Sequence, residues 1–157
     1  MPMADSSTVP GPRPHCVLPA SKDLDNIIRR VRYSMEAILH LSHQVLENVV
    51  ITMEDDYFMS AVHSAVVSAG YSPCYLYQGG EGGEQGDGLR HFLRGQGEIL
   101  ITKQDLFTGM EAQTILFIGH GDSSYNSAAG SAVAKFIFLP TYKQKEEYLN
   151  NFQIENI

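Results

Sequence analysis

The chain has 157 residues, of which 43% are hydrophobic and 18% charged. Such a composition buries a core, which excludes a wholly disordered chain, and the length suits one ordinary domain of about 100–200 residues. Eleven Lys and Arg against 18 Asp and Glu leave a net charge of -7, a balance that repels phosphate backbones, so nucleic-acid binding by the chain alone is not expected. No apolar run approaches the roughly 20 residues of a membrane span, and the Pro-rich start lacks the apolar core of a signal peptide. The expectation is an intracellular protein, cytoplasmic or nuclear, without a membrane partner. Cys16 and Cys74 have no CxxC spacing and read as free thiols.

Residues 1–20 hold five of the seven prolines and read as a disordered tail, leaving 21–157 as a single domain. Leu24, Ile27, Ile28, Val31, Met35, Ile38, Leu39 and Val45 recur at three- and four-residue steps and predict an amphipathic helix over 22–47. Its Arg29, Arg30 and Arg32 spread around the helix as a solvated face. Val49 to Met53 is a β-branched apolar run, a buried strand, and Glu54, Asp55 and Asp56 follow it where acids favour a helix N-terminus. A helix over 57–69 stops at Gly70, and Cys74 to Tyr77 forms the next strand. These elements make a β-α-β unit with parallel strands.

Six glycines and three acids between Gln78 and Gly88 predict an exposed loop, and without a Lys it is no phosphate cradle. A short helix at 89–94 then precedes strands at 98–102 and 114–118. A small-residue helix at about 126–135 leads to a strand at 136–139, ended by Pro140. An amphipathic helix over 143–152 closes the chain. About five apolar strands alternating with helices give an α/β fold with three layers, α-β-α, around a mostly parallel sheet. Ligands in such sheets sit at the carboxyl ends of the strands, here the segments beginning at Glu54, Gln78, Thr102, Gly119 and Thr141.

One of these ends carries a longer pattern. The run Ile99-Leu100-Ile101-Thr102-Lys103-Gln104-Asp105-Leu106-Phe107-Thr108-Gly109-Met110-Glu111, followed by the strand Thr114 to Ile118, resembles motif V of superfamily 1 helicases. The order of elements over 48–139 is similar to the second RecA-like domain of that family, within the P-loop NTPase-like folds. The resemblance implies that Gly109 permits close backbone packing at an interdomain cleft and that Glu111 faces a nucleotide sugar, with Thr102 and Lys103 near the cleft mouth. Gly109 as a turn residue and Glu111 as a solvated charge remain the alternative.

The same resemblance implies an arginine on the helix before the strand at 136–139, where it would stabilise charge on a transferred phosphoryl group. Tyr125 to Leu139 contains none, and Ser131 stands in its place. Such an arginine is worth about 10³–10⁵ in rate. No stretch matches G-x-x-x-x-G-K-[ST] either. The expectation is a degenerate helicase-like domain with no catalytic residue or cofactor of its own, binding ATP only if a complementary domain is supplied. Its partners would be a protein or that NTPase domain.

A rival reading centres on Ile118-Gly119-His120-Gly121-Asp122, which resembles the histidine segment of caspase-like proteases. The nucleophile would be Cys74, or Ser123 or Ser124 in a serine version. No cysteine follows His120, and no G-x-S-x-G elbow is present, so this hydrolase reading is disfavoured. His40 and His43 have a spacing that can share a metal, but no third ligand of typical type is near, and no metal site is expected.

Overall fold

A computed structural model describes residues 13–45, 47–79, 89–90, 92–94, 97–120 and 123–157, with backbone only at 123 and 124. The elements in chain order are β1 (His15–Leu18), α1 (Leu24–Tyr33), β2 (Val49–Met53), α2 (Met59–Ser68), β3 (Cys74–Tyr77), β4 (Ile99–Lys103), β5 (Ala112–Gly119), α3 (Ser123–Ser131), β6 (Ala132–Pro140), α4 (Glu146–Leu149) and β7 (Gln153–Asn156). All strand pairs are parallel and form one seven-stranded sheet in the order β3-β4-β2-β5-β6-β1-β7.

The apolar runs become strands because both sheet faces are covered. On β5, Leu116 and Ile118 face one way with Ile27, Val31, Met59 and Val62 of α1 and α2. Ile115 and Phe117 face the other way, with Phe107, Tyr125, Ala128 and Phe152. Burial of each such side chain contributes about 1.5–3 kcal/mol. The second face is an aromatic cluster in which Tyr125 meets Phe136, Phe138 and Tyr148 edge to face, with ring centroids 5.1–5.6 Å apart.

Several expectations need correction. The predicted tail includes a strand: β1 lies between β6 and β7, and Cys16 and Val17 are fully buried. Proline enrichment hid the three apolar residues Cys16, Val17 and Leu18, too few to show a period. The long helix over 22–47 ends early. Asp23 caps α1, a single π-type turn follows at Ser34–Ile38, and His40 at φ 52 turns the chain away. Its later apolar residues still reach the core, since Leu39 and Val45 are buried without helical backbone.

The helix predicted at about 126–135 is shifted. α3 ends at Ser131, and β6 is a nine-residue strand that begins at Ala132. At the C-terminus only Glu146–Leu149 is helical, and β7 follows as a seventh strand. The glycine-rich loop lies outside the described residues from 80 to 88, and the short helix predicted at 89–94 is helical at 89, 90 and 92–94. Gly70 ends α2 with φ 94, as a C-terminal glycine does.

Candidate functional site

The four residues marked in the sequence fall into two pairs at opposite edges of the sheet. Thr102 is fully buried on β4, and its hydroxyl donates to the Tyr77 carbonyl at 2.8 Å, joining β4 to β3. Lys103 ends that strand, 3.8 Å from Asp105. The chain then crosses one face of the sheet to its amino edge. Phe107 is buried, and a turn closes where the Met110 N–H donates to the Phe107 carbonyl at 3.1 Å. Gly109 is its third residue at φ 87, the position where a type II turn needs left-handed backbone. A Cβ there would meet nothing within 4 Å, so the requirement is dihedral rather than steric.

Glu111, exposed, immediately precedes β5. Lys103 is level with Met53, which is level with Ile118, seven residues beyond Glu111. At about 3.3 Å per residue the two pairs lie roughly 20 Å apart. Glu111 instead meets the end of α3. Ala112 pairs with Ala132, so the residues just before them, Glu111 and Ser131, occupy the same corner of the amino edge. α3 is tied to the motif by Gln104 Nε2, which donates to Ser127 Oγ at 3.0 Å. The corner therefore has a carboxylate and a hydroxyl and receives no guanidinium from α3.

The carboxyl edge holds a second assembly, which the chain order alone did not pair. Glu54, just past β2, accepts from the His120 backbone N–H at 3.0 Å, and its other oxygen lies 3.2 Å from His120 Nε2. Gly119 allows this, because a Cβ there would collide with the Glu54 carboxylate and come within 2.6 Å of the Phe117 ring. Tyr142 sets its ring edge to face with His120 at 5.3 Å, and Lys22 Nζ sits 4.4 Å from the Tyr142 ring centroid. These groups line a cleft of about 420 Å³ with Asp55, Asp56 and Lys103. Of the three acids expected at a helix N-terminus, Glu54, Asp55 and Asp56, Asp55 caps the turn by accepting from the Tyr57 N–H, while Glu54 is turned to His120.

The cleft bears on the hydrolase reading. Cys74 is level with Ile99 at the amino end of its strand, whereas His120 follows the carboxyl end of β5, so the two cannot form a dyad. Burial also pushes the Cys74 thiol up to about 12, away from the reactive thiolate. Gly121, Asp122 and the side chains of Ser123 and Ser124 lie outside the described residues. No group of three metal-ligating side chains occurs among the described residues, and none of their helices is long and apolar enough to cross a membrane.

The architecture recurs in solved structures. The chain is similar to the C-terminal domain of the DEAD-box protein Dbp5 with a TM-score of 0.59 at 12% identity, over 94% of this chain and 89% of that one. It is similar to domain 2 of the DEAD-box helicase Mss116p, bound there to an RNA duplex, with a TM-score of 0.64 at 16% identity, over 91% of this chain and 63% of that one. The fold is that of a second RecA-like helicase domain. The C-terminal domain of S. cerevisiae Dbp5 bound to Gle1 and IP6 matches as well, with a TM-score of 0.60 at 9% identity over 94% of this chain and 90% of that one. No family model and no curated protein matches the chain. The matched α/β architecture agrees with the resemblance drawn from the residues around Gly109.

Proposed function

We propose that this RecA-like domain is a non-catalytic module that binds a protein partner or completes a nucleotide cleft supplied by another domain. The observation that carries the reading is the corner formed by Glu111 and Ser131. It keeps a carboxylate that can accept from a ribose hydroxyl, while α3, where the resemblance implies a phosphoryl-stabilising arginine, carries only neutral residues. A hydroxyl cannot make the bidentate contact a guanidinium makes to phosphate. The bound state of the Dbp5 C-terminal domain supports the protein-partner side of the reading, because there the same fold engages Gle1.

The RNA bound to Mss116p domain 2 does not transfer readily. A net charge of -7 and three consecutive acids at the carboxyl end of β2 oppose a phosphate backbone. Two assays test the proposal. The purified chain should show no ATP turnover above background. A fluorescent ATP analogue should bind only when a protein carrying a Gly-Lys-Ser/Thr phosphate loop is added, and that gain should disappear in Glu111→Ala. Turnover by the chain alone, lost in Glu111→Ala, would overturn the proposal.

A further inference from the structure

β2 and β5 are neighbours, yet the chain leaves them in opposite directions. From β2 it runs through α2 on one face to β3, and from β5 it runs through α3 on the other face to β6. Divergence of two adjacent parallel strands opens a crevice at their carboxyl ends, where open α/β sheets place ligands. In this chain that crevice is the cleft of Glu54 and His120. Its volume, about 420 Å³, falls in the range of small-molecule sites, about 300–1,000 Å³.

The cleft continues past a ridge. His120 and Tyr142 line it on one side and line a second hollow of about 360 Å³ on the other, with Lys143, Lys145 and Tyr148. Gln144 Nε2 holds the ridge by donating to the Tyr142 carbonyl at 2.8 Å and the His120 carbonyl at 3.3 Å. The two lobes have opposite character. In the first, Lys22 already lies on the Tyr142 ring, Lys103 pairs with Asp105, and Glu54 is occupied by His120. Asp55 keeps one oxygen on the Tyr57 N–H, and Asp56 has no side-chain partner among the described residues; both are exposed and line the cleft. In the second, no carboxylate among the described residues pairs with Lys143 or Lys145.

We propose that this crevice binds an elongated zwitterion, with its ammonium in the lobe of Asp55 and Asp56, its carboxylate at Lys143 and Lys145, and its apolar middle across the Tyr142 ring. The ring suits that middle section because it is 48% exposed and lines both lobes, although Lys22 already rests over part of it. A purely cationic ligand would leave the two lysines unanswered, and a purely anionic one would meet the acids. The site lies at the edge opposite Glu111 and Ser131, so it stands or falls separately from the nucleotide-cleft reading.

The test uses the full chain, labelled with 15N, and three probes that share a six-carbon skeleton: 6-aminohexanoate, hexylamine and hexanoate. The expected result is saturable shifts of the His120, Tyr142 and Lys143 amides with 6-aminohexanoate, each single-charge probe binding at least tenfold more weakly. Asp56→Asn should weaken the zwitterion severalfold while leaving hexanoate unchanged, and Lys143→Gln with Lys145→Gln should do the converse for hexylamine. All three positions are exposed, so none of these changes endangers folding. Equal binding of hexylamine would overturn the proposal in favour of a simple cation site. Tighter saturation of the same amides by a short uridine oligomer, lost with the two lysines, would make it an RNA surface. The absence of saturable shifts at tens of millimolar probe would remove the site altogether.

Discussion

Arg30 shows how much a single side chain organises here. Its guanidinium is fully buried and donates to the carbonyls of Val17, Pro140 and Ser21 at 2.9–3.0 Å, tying β1 to the end of β6 and to the segment before α1. Burial lowers its pKa to about 10, which leaves it charged at neutral pH. Arg30→Ala strands three carbonyls and opens a cavity, so a loss of about 3 kcal/mol or more is expected in urea denaturation. Burial likewise pushes the thiols of Cys16 and Cys74 from 9.0 up to about 12. The folded state then keeps protons that the unfolded state releases near pH 9, so stability is complete below pH 9 and falls as pH rises toward 12. Between pH 9 and 10 the urea midpoint should therefore drop, and Cys16→Ala with Cys74→Ala should flatten that slope. Gly109 acts through its backbone alone: Gly109→Ala at φ 87 should cost about 1–2 kcal/mol by the same denaturation measurement.

At the scale of elements, β5 carries the site through what it lacks. Gly119 leaves room for the Glu54 carboxylate, so Gly119→Ala should cost about 1–3 kcal/mol through overpacking. Removing the obstructing side chain in Glu54→Ala should recover part of that loss, and a double-mutant cycle would show it as non-additivity of the two changes. β1 makes a second prediction. It pairs with β6 on one side and β7 on the other, and Arg30 hangs from it. A chain beginning at Ser21 should lose cooperative thermal unfolding, with β7 detached. The domain boundary expected at residue 21 follows composition, whereas the pairing of His15–Leu18 reflects the sheet around it. A segment of only four residues, His15–Leu18, shows neither alternation nor helical period, and its strand character comes from neighbours distant in the chain.

Across the whole molecule, the two edges of one sheet hold two different chemistries: Glu111 with Ser131 at the amino ends, and Glu54 with His120 at the carboxyl ends. The turn glycine and the carboxylate before β5 were legible in the chain, because strand, turn, Glu111 and strand occur in one run of local elements, whereas the nearness of Ser131 follows from the pairing of Ala112 with Ala132. The carboxyl-edge pair was not legible. Glu54 and His120 are 66 positions apart, and an acid after a strand reads equally well as a helix N-terminal charge. Thr102 and Lys103 were drawn to Glu111 by proximity in sequence, yet a crossing of the sheet separates them by its full depth. The apolar runs by themselves determined that the sheet would be parallel and covered on both faces, since buried strands on two sides cannot alternate. The residues of α3 likewise determined that this helix carries no arginine. Only the tertiary structure decided the order of strands, the entry of β1 and β7, and the meeting of His120 with Glu54. Those depend on contacts between distant segments, whose stability comes from shared burial and not from any local pattern.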